Sequence, residues 1–221
     1  QKHCSVDYKF YCLTDKPKFS YDIQLPTTWD HHYNSERNGF WAYRKCYMFN
    51  EDLFPELEYG EEFLYLDLDV LIHNSINPLF KLNIDNPWIV RGWWNDMETC
   101  KRNYGKLIST PINSSIIRWN RGQLKPVYDH IENHTDYIFF TYPTIDNYFN
   151  HFWYDMYNEE NSEQLFKGLK KGITYSWFKG NIFPEDMDLN KVRDDHMICL
   201  FNNCTDDDYQ DMYDIIKLWN T

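Results

Sequence analysis

The sequence predicts an α/β protein built on a mainly parallel central sheet flanked by helices, and three observations predict it. Strand-like and helix-like segments alternate along all 221 residues, the order expected when strands are joined through covering helices. The strongest strand signal, Glu61 to Ile72, is apolar on both faces, as a strand covered on both sides requires. The 43% hydrophobic content is enough for one sizeable core, or at most two small ones. No repeat, low-complexity tract or linker interrupts the chain, so residues 1–221 are expected to form a single domain.

Each element has its own signal. Val6 to Asp15 is aromatic and β-prone and ends at Asp-Lys-Pro, and Tyr21 to Leu25 is a short strand closed by Pro26. Between Ser35 and Asn50, Phe40, Tyr43, Tyr47 and the adjacent Met48 recur at helical spacing, which predicts a helix opening near Ser35 or Gly39. Trp88 to Trp93 and the stretch "TPINSSIIRWNRG" from Thr110 predict two further strands. "LKPVYDHIENH" predicts a short helix, and Thr144 to Met156 predicts another, with Ile145, Tyr148, Phe149 and Phe152 on one side. Gly172 to Phe183 and His196 to Asn203 are strand-like, and Asp206 to Trp219 places Tyr209, Met212, Tyr213, Ile216 and Trp219 at helical spacing.

Composition excludes several classes of function. A formal charge of −12 argues against a protein that grips a nucleic-acid backbone, although a local basic patch still allows one phosphate-bearing ligand. The six cysteines are scattered with no C-x-x-C spacing, which predicts neither a zinc site nor a disulfide scaffold but reduced thiols in a cytoplasmic protein. No apolar run reaches the length of a membrane span.

The chemistry centres on "FLYLDLDVLI". If the strand persists, Asp67 and Asp69 share a face and Leu68 points away. Two adjacent carboxylates in apolar surroundings repel and are costly to bury, and a divalent cation offsets both terms most economically. Oxygen ligands suit Mn²⁺, Mg²⁺ or Ca²⁺, and ligands of open α/β sheets gather where strands end. A pair that caps a turn or meets surface Lys and Arg remains the plain alternative.

With its surroundings, "FLYLDLDVLIHNSINPLF" resembles the Asp-x-Asp segment of the glycosyltransferase A-fold enzymes. Other segments follow in the same order: "FYCLTD", "TPINSSIIRW", "FTYPTIDNYF", "ITYSWFK" and "ICLFNN". The resemblance spans nearly the whole chain, is best over residues 61–120, and is closest to bacterial and viral glycosyltransferases related to the glycogenin and lipopolysaccharide galactosyltransferase group. It implies a Rossmann-like glycosyltransferase A-type fold. The family's first strand would precede "KHCSVDYKFYCL", so the fold is expected to lack that strand and the domain to be N-terminally incomplete.

The resemblance implies a metal-dependent, hexosyltransferase-like, retaining enzyme. It would move a sugar from a nucleotide-diphosphate sugar to an acceptor hydroxyl on a glycan or glycoconjugate, as in polysaccharide biosynthesis, with Mn²⁺ or Mg²⁺. Asp69 would be the principal metal ligand. Asp67 would touch the metal or the donor's ribose. Asn202 stands where many relatives carry a third, histidine ligand. Asn113 would hydrogen-bond the donor sugar, or simply turn the chain after Pro111. Asp146 would serve the reaction by binding sugar hydroxyls or positioning the acceptor, or else cap a helix. Lys45, Arg91 and Lys179 are candidate donor-side cations, the last for the leaving diphosphate. Trp93 and Trp94 either stack on acceptor rings or divide between core and rim. Two other functions stay open: a carbohydrate-binding or scaffolding protein of the same fold without turnover, and a nucleotidyltransferase.

Overall fold

The computed structural model describes residues 2–32, 40–92, 110–155, 163–178, 181–183 and 194–202. Two short strands, β1 (Cys12–Thr14) and β2 (Asp22–Gln24), pair in parallel as a separate ribbon. The expected helix of residues 35–50 is, in its described part, α1 (Phe40–Tyr43) followed by a 3-10 segment, Arg44–Phe49. Its burial pattern fits the tighter winding. Tyr43, Cys46 and Phe49 are buried at intervals of three, which suits a 3-10 helix, and Tyr47 beside them is buried as well.

Two four-stranded sheets follow. The first has the order β3–β6–β5–β7, from β3 (Glu62–Leu66), β5 (Trp88–Arg91), β6 (Ile112–Asn120) and β7 (Lys167–Gly168). The second has the order β4–β10–β8–β9, from β4 (Val70–Ile72), β8 (Thr174–Phe178), β9 (Asn181–Phe183) and β10 (Ile198–Phe201). Three helices, α2 (Lys125–Asn133), α3 (Thr135–Thr141) and α4 (Ile145–Phe152), lie between β6 and β7 in the chain.

A mainly parallel sheet does not form among the described residues. β6 runs antiparallel to both β3 and β5, and only β5–β7 is parallel in that sheet. In the other, β10 is parallel to β8 but antiparallel to β4, and β8–β9 is antiparallel. Apolar character on both faces of "EEFLYL" reports that layers cover the strand on both sides. It carries no information on which way the neighbours run.

Those two layers are distinct cores. Phe63, Tyr65, Ile89, Ile117 and Trp119 face a core rich in aromatic rings with Trp29, Tyr43, Tyr47, Tyr148, Phe149 and Phe166. The alternate residues Leu64, Leu66, Val90 and Ile116 face an aliphatic core with Val70, Ile72, Leu79, Ile173, Ile198 and Leu200. The period of two along β3 thus divides its side chains between an aromatic and an aliphatic layer. The turn after β6 is closed by Gly122 at φ +97°, where a Cβ would lie 2.3 Å from the Tyr59 ring.

Candidate active site

The first sheet carries an irregularity that builds the site. Ile89 of β5 pairs with Ile117, but the next residue, Val90, pairs with Asn113. Ser114, Ser115 and Ile116 therefore bulge away from β5, and their backbone groups are released to other partners. The Ser114 N–H donates to Asp146 Oδ1 at 2.9 Å. The Ser115 N–H donates to Asn113 Oδ1 at 2.9 Å, and the Ser115 carbonyl accepts the Asp67 N–H at 2.9 Å.

β3 ends at Leu66, and Asp67, Leu68 and Asp69 form the turn that carries the chain into β4 of the second sheet. The strand does not persist through the pair, so the two carboxylates are brought together by a turn and not by strand alternation. Leu68, between them, is fully exposed. The second sheet closes against this turn, where the Phe201 N–H donates to the Asp69 carbonyl at 3.0 Å.

Asp67 is the most heavily engaged group. Lys45 Nζ lies 3.0 Å from both its oxygens, and the Tyr65 hydroxyl donates to Oδ1. Lys45 Nζ also donates to the Ser114 carbonyl and to Ser114 Oγ, both at 3.2 Å, and lies 5.2 Å from the centre of the Tyr65 ring. The side chains of Lys45 and Asp67 are 9% and 22% exposed, so each largely relies on the other for charge compensation. Tyr65 is a site residue that sequence reading passed over. Its position two before Asp67 is the signal that could have found it, because strand alternation aims both the same way. Ser114 was hidden for another reason, since its role depends on the bulge.

Asp146 stands in the first turn of α4, but Thr144 caps that helix, its Oγ1 accepting the Asn147 N–H at 3.2 Å. Asp146 is thereby left to reach across to β6. Burial raises the pKa of its carboxyl, the Lys45 charge and the Ser114 hydrogen bond oppose the rise, and the Asp67 charge adds to it. Asp69 is likewise raised, by loss of hydration and then by repulsion from Asp67. Asn113 Nδ2 donates to Asn202 Oδ1 at 3.4 Å, and Asn202 Nδ2 donates to Ser176 Oγ at 2.6 Å. Asn202, at the end of β10, thus joins the same neighbourhood, while His196 at the other end of that strand is buried beside Tyr175.

Lys45, Asp67, Asp69, Asn113, Asp146 and Asn202 therefore converge from separate stretches of the chain. Arg91, at the end of β5 opposite Ile112, makes its described hydrogen bonds elsewhere. It is 2% exposed, and its Nη1 donates to the carbonyls of Gly92 at 3.2 Å and Pro111 at 2.9 Å. Lys179, Trp93, Trp94 and the helix expected over residues 206–219 lie outside the described residues. Among the described residues, no group of three or more His, Cys, Asp or Glu side chains converges on a common metal position. No described helix is long and apolar enough to cross a membrane.

The raised pKa of Asp146 has a definite consequence. The folded protein keeps this proton to higher pH than the unfolded chain, so stability falls as pH rises from the ordinary carboxyl range through the raised value. Asp146→Asn removes the titration and keeps an acceptor for the Ser114 N–H. The melting temperature of the wild type relative to this variant is expected to drop as pH rises above the ordinary carboxyl range, about pH 4. Parallel melting curves for the two proteins from that pH upward check it, and a constant difference contradicts it.

No family model matches the chain, and no curated protein does. Among the solved structures that align with it are two glycosyltransferases. Mouse xyloside xylosyltransferase 1 in its apo form matches over 80% of this chain and 71% of its own length, at 15% identity and a TM-score of 0.42. The apo bifunctional glycosyltransferase WbbM matches over 79% of this chain, at 11% identity and a TM-score of 0.47. The chain spans about a third of WbbM, 35% of its length. At such scores a likeness decides nothing about chemistry, which rests on the side chains.

Proposed function

We propose that the protein is a metal-dependent glycosyltransferase of the Asp-x-Asp type, moving a sugar from a nucleotide-diphosphate sugar to an acceptor hydroxyl on a glycan. The observation that carries this reading is the meeting of Lys45, Asp67, Asp69, Asn113, Asp146 and Asn202 at the β3–β4 turn. A structural ion pair needs only two of these groups. A polar cluster assembled from five separate segments over two apolar cores has a cost that a bound polar ligand explains.

The residues fit a hard divalent cation. Asp69, Asp67 and the Asn202 amide supply oxygen donors only, and repulsion between the two carboxylates is the strain a cation relieves. When bound, Mn²⁺ or Mg²⁺ supplies Lewis-acid stabilisation of charge on a departing diphosphate. The chain's own groups do the rest. Asn113, held by Ser115, and Asp146, held by Ser114, offer polar atoms that orient sugar hydroxyls. Lys45 keeps a positive charge beside them. Retention at the anomeric carbon belongs to the same proposal and rests on the motif resemblance alone.

A glycan-binding protein without turnover is the second reading. The engagement of Asn202 with Asn113 and Ser176, and of Asp67 with Lys45, favours it, because both would-be ligands already have partners. One assay separates the two. Nucleoside diphosphate release is measured over a panel of nucleotide sugars with Mn²⁺ or Mg²⁺, and again after chelation. Release that stops on chelation supports the transferase. Glycan binding with no turnover of any donor leaves the binding protein, and pyrophosphate release from a nucleoside triphosphate would point to nucleotidyl transfer instead.

A further inference from the structure

Resting on the metal-dependent reading, we infer that Lys45 is a built-in counter-ion that competes with the divalent cation for Asp67, so that Asp69 carries the cation's main carboxylate contact and Lys45 sets the cation's affinity. The geometry around Asp67 is the ground for it. An ammonium equidistant, at 3.0 Å, from both carboxylate oxygens occupies the position from which a cation would engage them. Its remaining hydrogen-bonding capacity is spent on the carbonyl and hydroxyl of Ser114, and the Tyr65 ring lies alongside. The ammonium is therefore held by four acceptors in a largely buried position, and moving it away would strand a charge.

Asp67 is equally constrained. The Tyr65 hydroxyl takes Oδ1, and the backbone N–H of Asp67 is tied to Ser115. A divalent ion brought to the same carboxylate would face a unit positive charge at close range, and that repulsion is a fixed tax on binding. Asp69 has no ammonium clamped on its carboxylate; its own backbone N–H and the Lys45 charge help it only in part, and it is left with lost hydration and the repulsion of Asp67, which a cation relieves. The two carboxylates of the motif thus have different tasks: one is neutralised by the protein, the other is left for the ion. Lys45 acts here as a positioning residue, fixing Asp67 and limiting how tightly the ion is held.

The test is a direct binding measurement with no donor or acceptor present. Mn²⁺ affinity is measured by titration calorimetry or by electron paramagnetic resonance on the full 221-residue chain, its Lys45→Met variant and the double variant Lys45→Met with Asp67→Asn. Removing the ammonium and keeping the stem is expected to tighten Mn²⁺ by about tenfold, and adding Asp67→Asn to return it close to the wild-type value. Unchanged or weaker binding in Lys45→Met, with a wild type that binds, overturns the competition and leaves the transferase reading standing. No Mn²⁺ binding by any of the three proteins overturns both. Circular dichroism monitors folding. If Lys45→Met does not fold, Lys45→Gln replaces it, because its amide keeps a donor toward Asp67 and Ser114 without the charge. That variant is expected to tighten Mn²⁺ by about two- to threefold, and an unchanged affinity there contradicts the inference.

Discussion

Replacing Asp69 by asparagine is expected to lower nucleoside diphosphate release by about 100-fold or more, because it removes the carboxylate that Lys45 leaves available for a cation. The same change is expected to leave the melting temperature at neutral pH unchanged or higher. The sign follows from the raised pKa of Asp69: its ionised form is disfavoured in the folded protein, by lost hydration and by Asp67, so ionisation subtracts from stability above the raised value. Asparagine removes that subtraction. The gain should shrink as pH falls and Asp69 takes up its proton. Loss of activity with no loss of stability is the signature of a group that serves the reaction. Release at the wild-type rate by a folded Asp69→Asn protein would remove Asp69 from the mechanism.

Trp29→Ala is expected to cost about 3–5 kcal/mol of folding stability, the largest effect of any single truncation considered. Trp29 is 2% exposed and stacks on Tyr47 with ring centres 4.0 Å apart. Its N–H donates to the Tyr47 hydroxyl at 2.8 Å, and its indole Nε1 donates to Glu132 Oε1 at 2.6 Å. It also meets Phe139 edge-on. Alanine would keep the backbone N–H bond to Tyr47 but leave a cavity among rings, remove the ring stacked on Tyr47 and take the indole donor from Glu132 on α2. Tyr47 sits two residues beyond Lys45 in the 3-10 segment, so the loss should also loosen the ammonium over Asp67. Urea unfolding checks the stability, with a lower midpoint at unchanged slope expected. A midpoint shift worth less than about 1 kcal/mol would show that the aromatic layer can collapse around the gap.

Much of this was legible from residues alone, for reasons that differ by element. The unbroken apolar run in "EEFLYL" identified β3 because burial on two faces leaves a local mark, and Phe63 and Tyr65 part from Leu64 and Leu66 toward different cores. The helix of Thr144 onward was legible from the spacing of Ile145, Tyr148 and Phe149, which all point into one core. "TDYIFFT" was not read as α3, because its seven residues follow α2 after a single residue and its Tyr137 and Phe140 remain exposed, which blurs the period. The strand at residues 6–15 shrinks to β1 because Tyr8 and Phe10 are exposed and find no described strand to pair with.

What the sequence by itself determined is the chemistry on offer: which residues carry carboxylate, amide and ammonium groups, and which stretches must be buried. Those follow from side-chain identity and local period. The tertiary structure alone decided how the groups are spent. Strand direction depends on connections and not on hydrophobic pattern, so the antiparallel β3–β6 pairing was hidden. The three-residue bulge that turns Ser114 toward Lys45 and Asp146 is a mismatch between two strands, visible in neither sequence segment. Whether Lys45 is solvated or clamps Asp67 depends on which surface the 3-10 segment meets, and that contact spans 22 residues of chain. A pair of aspartates that looks symmetric in sequence is made asymmetric by that one ammonium, because charge compensation is set by distance in space and not along the chain.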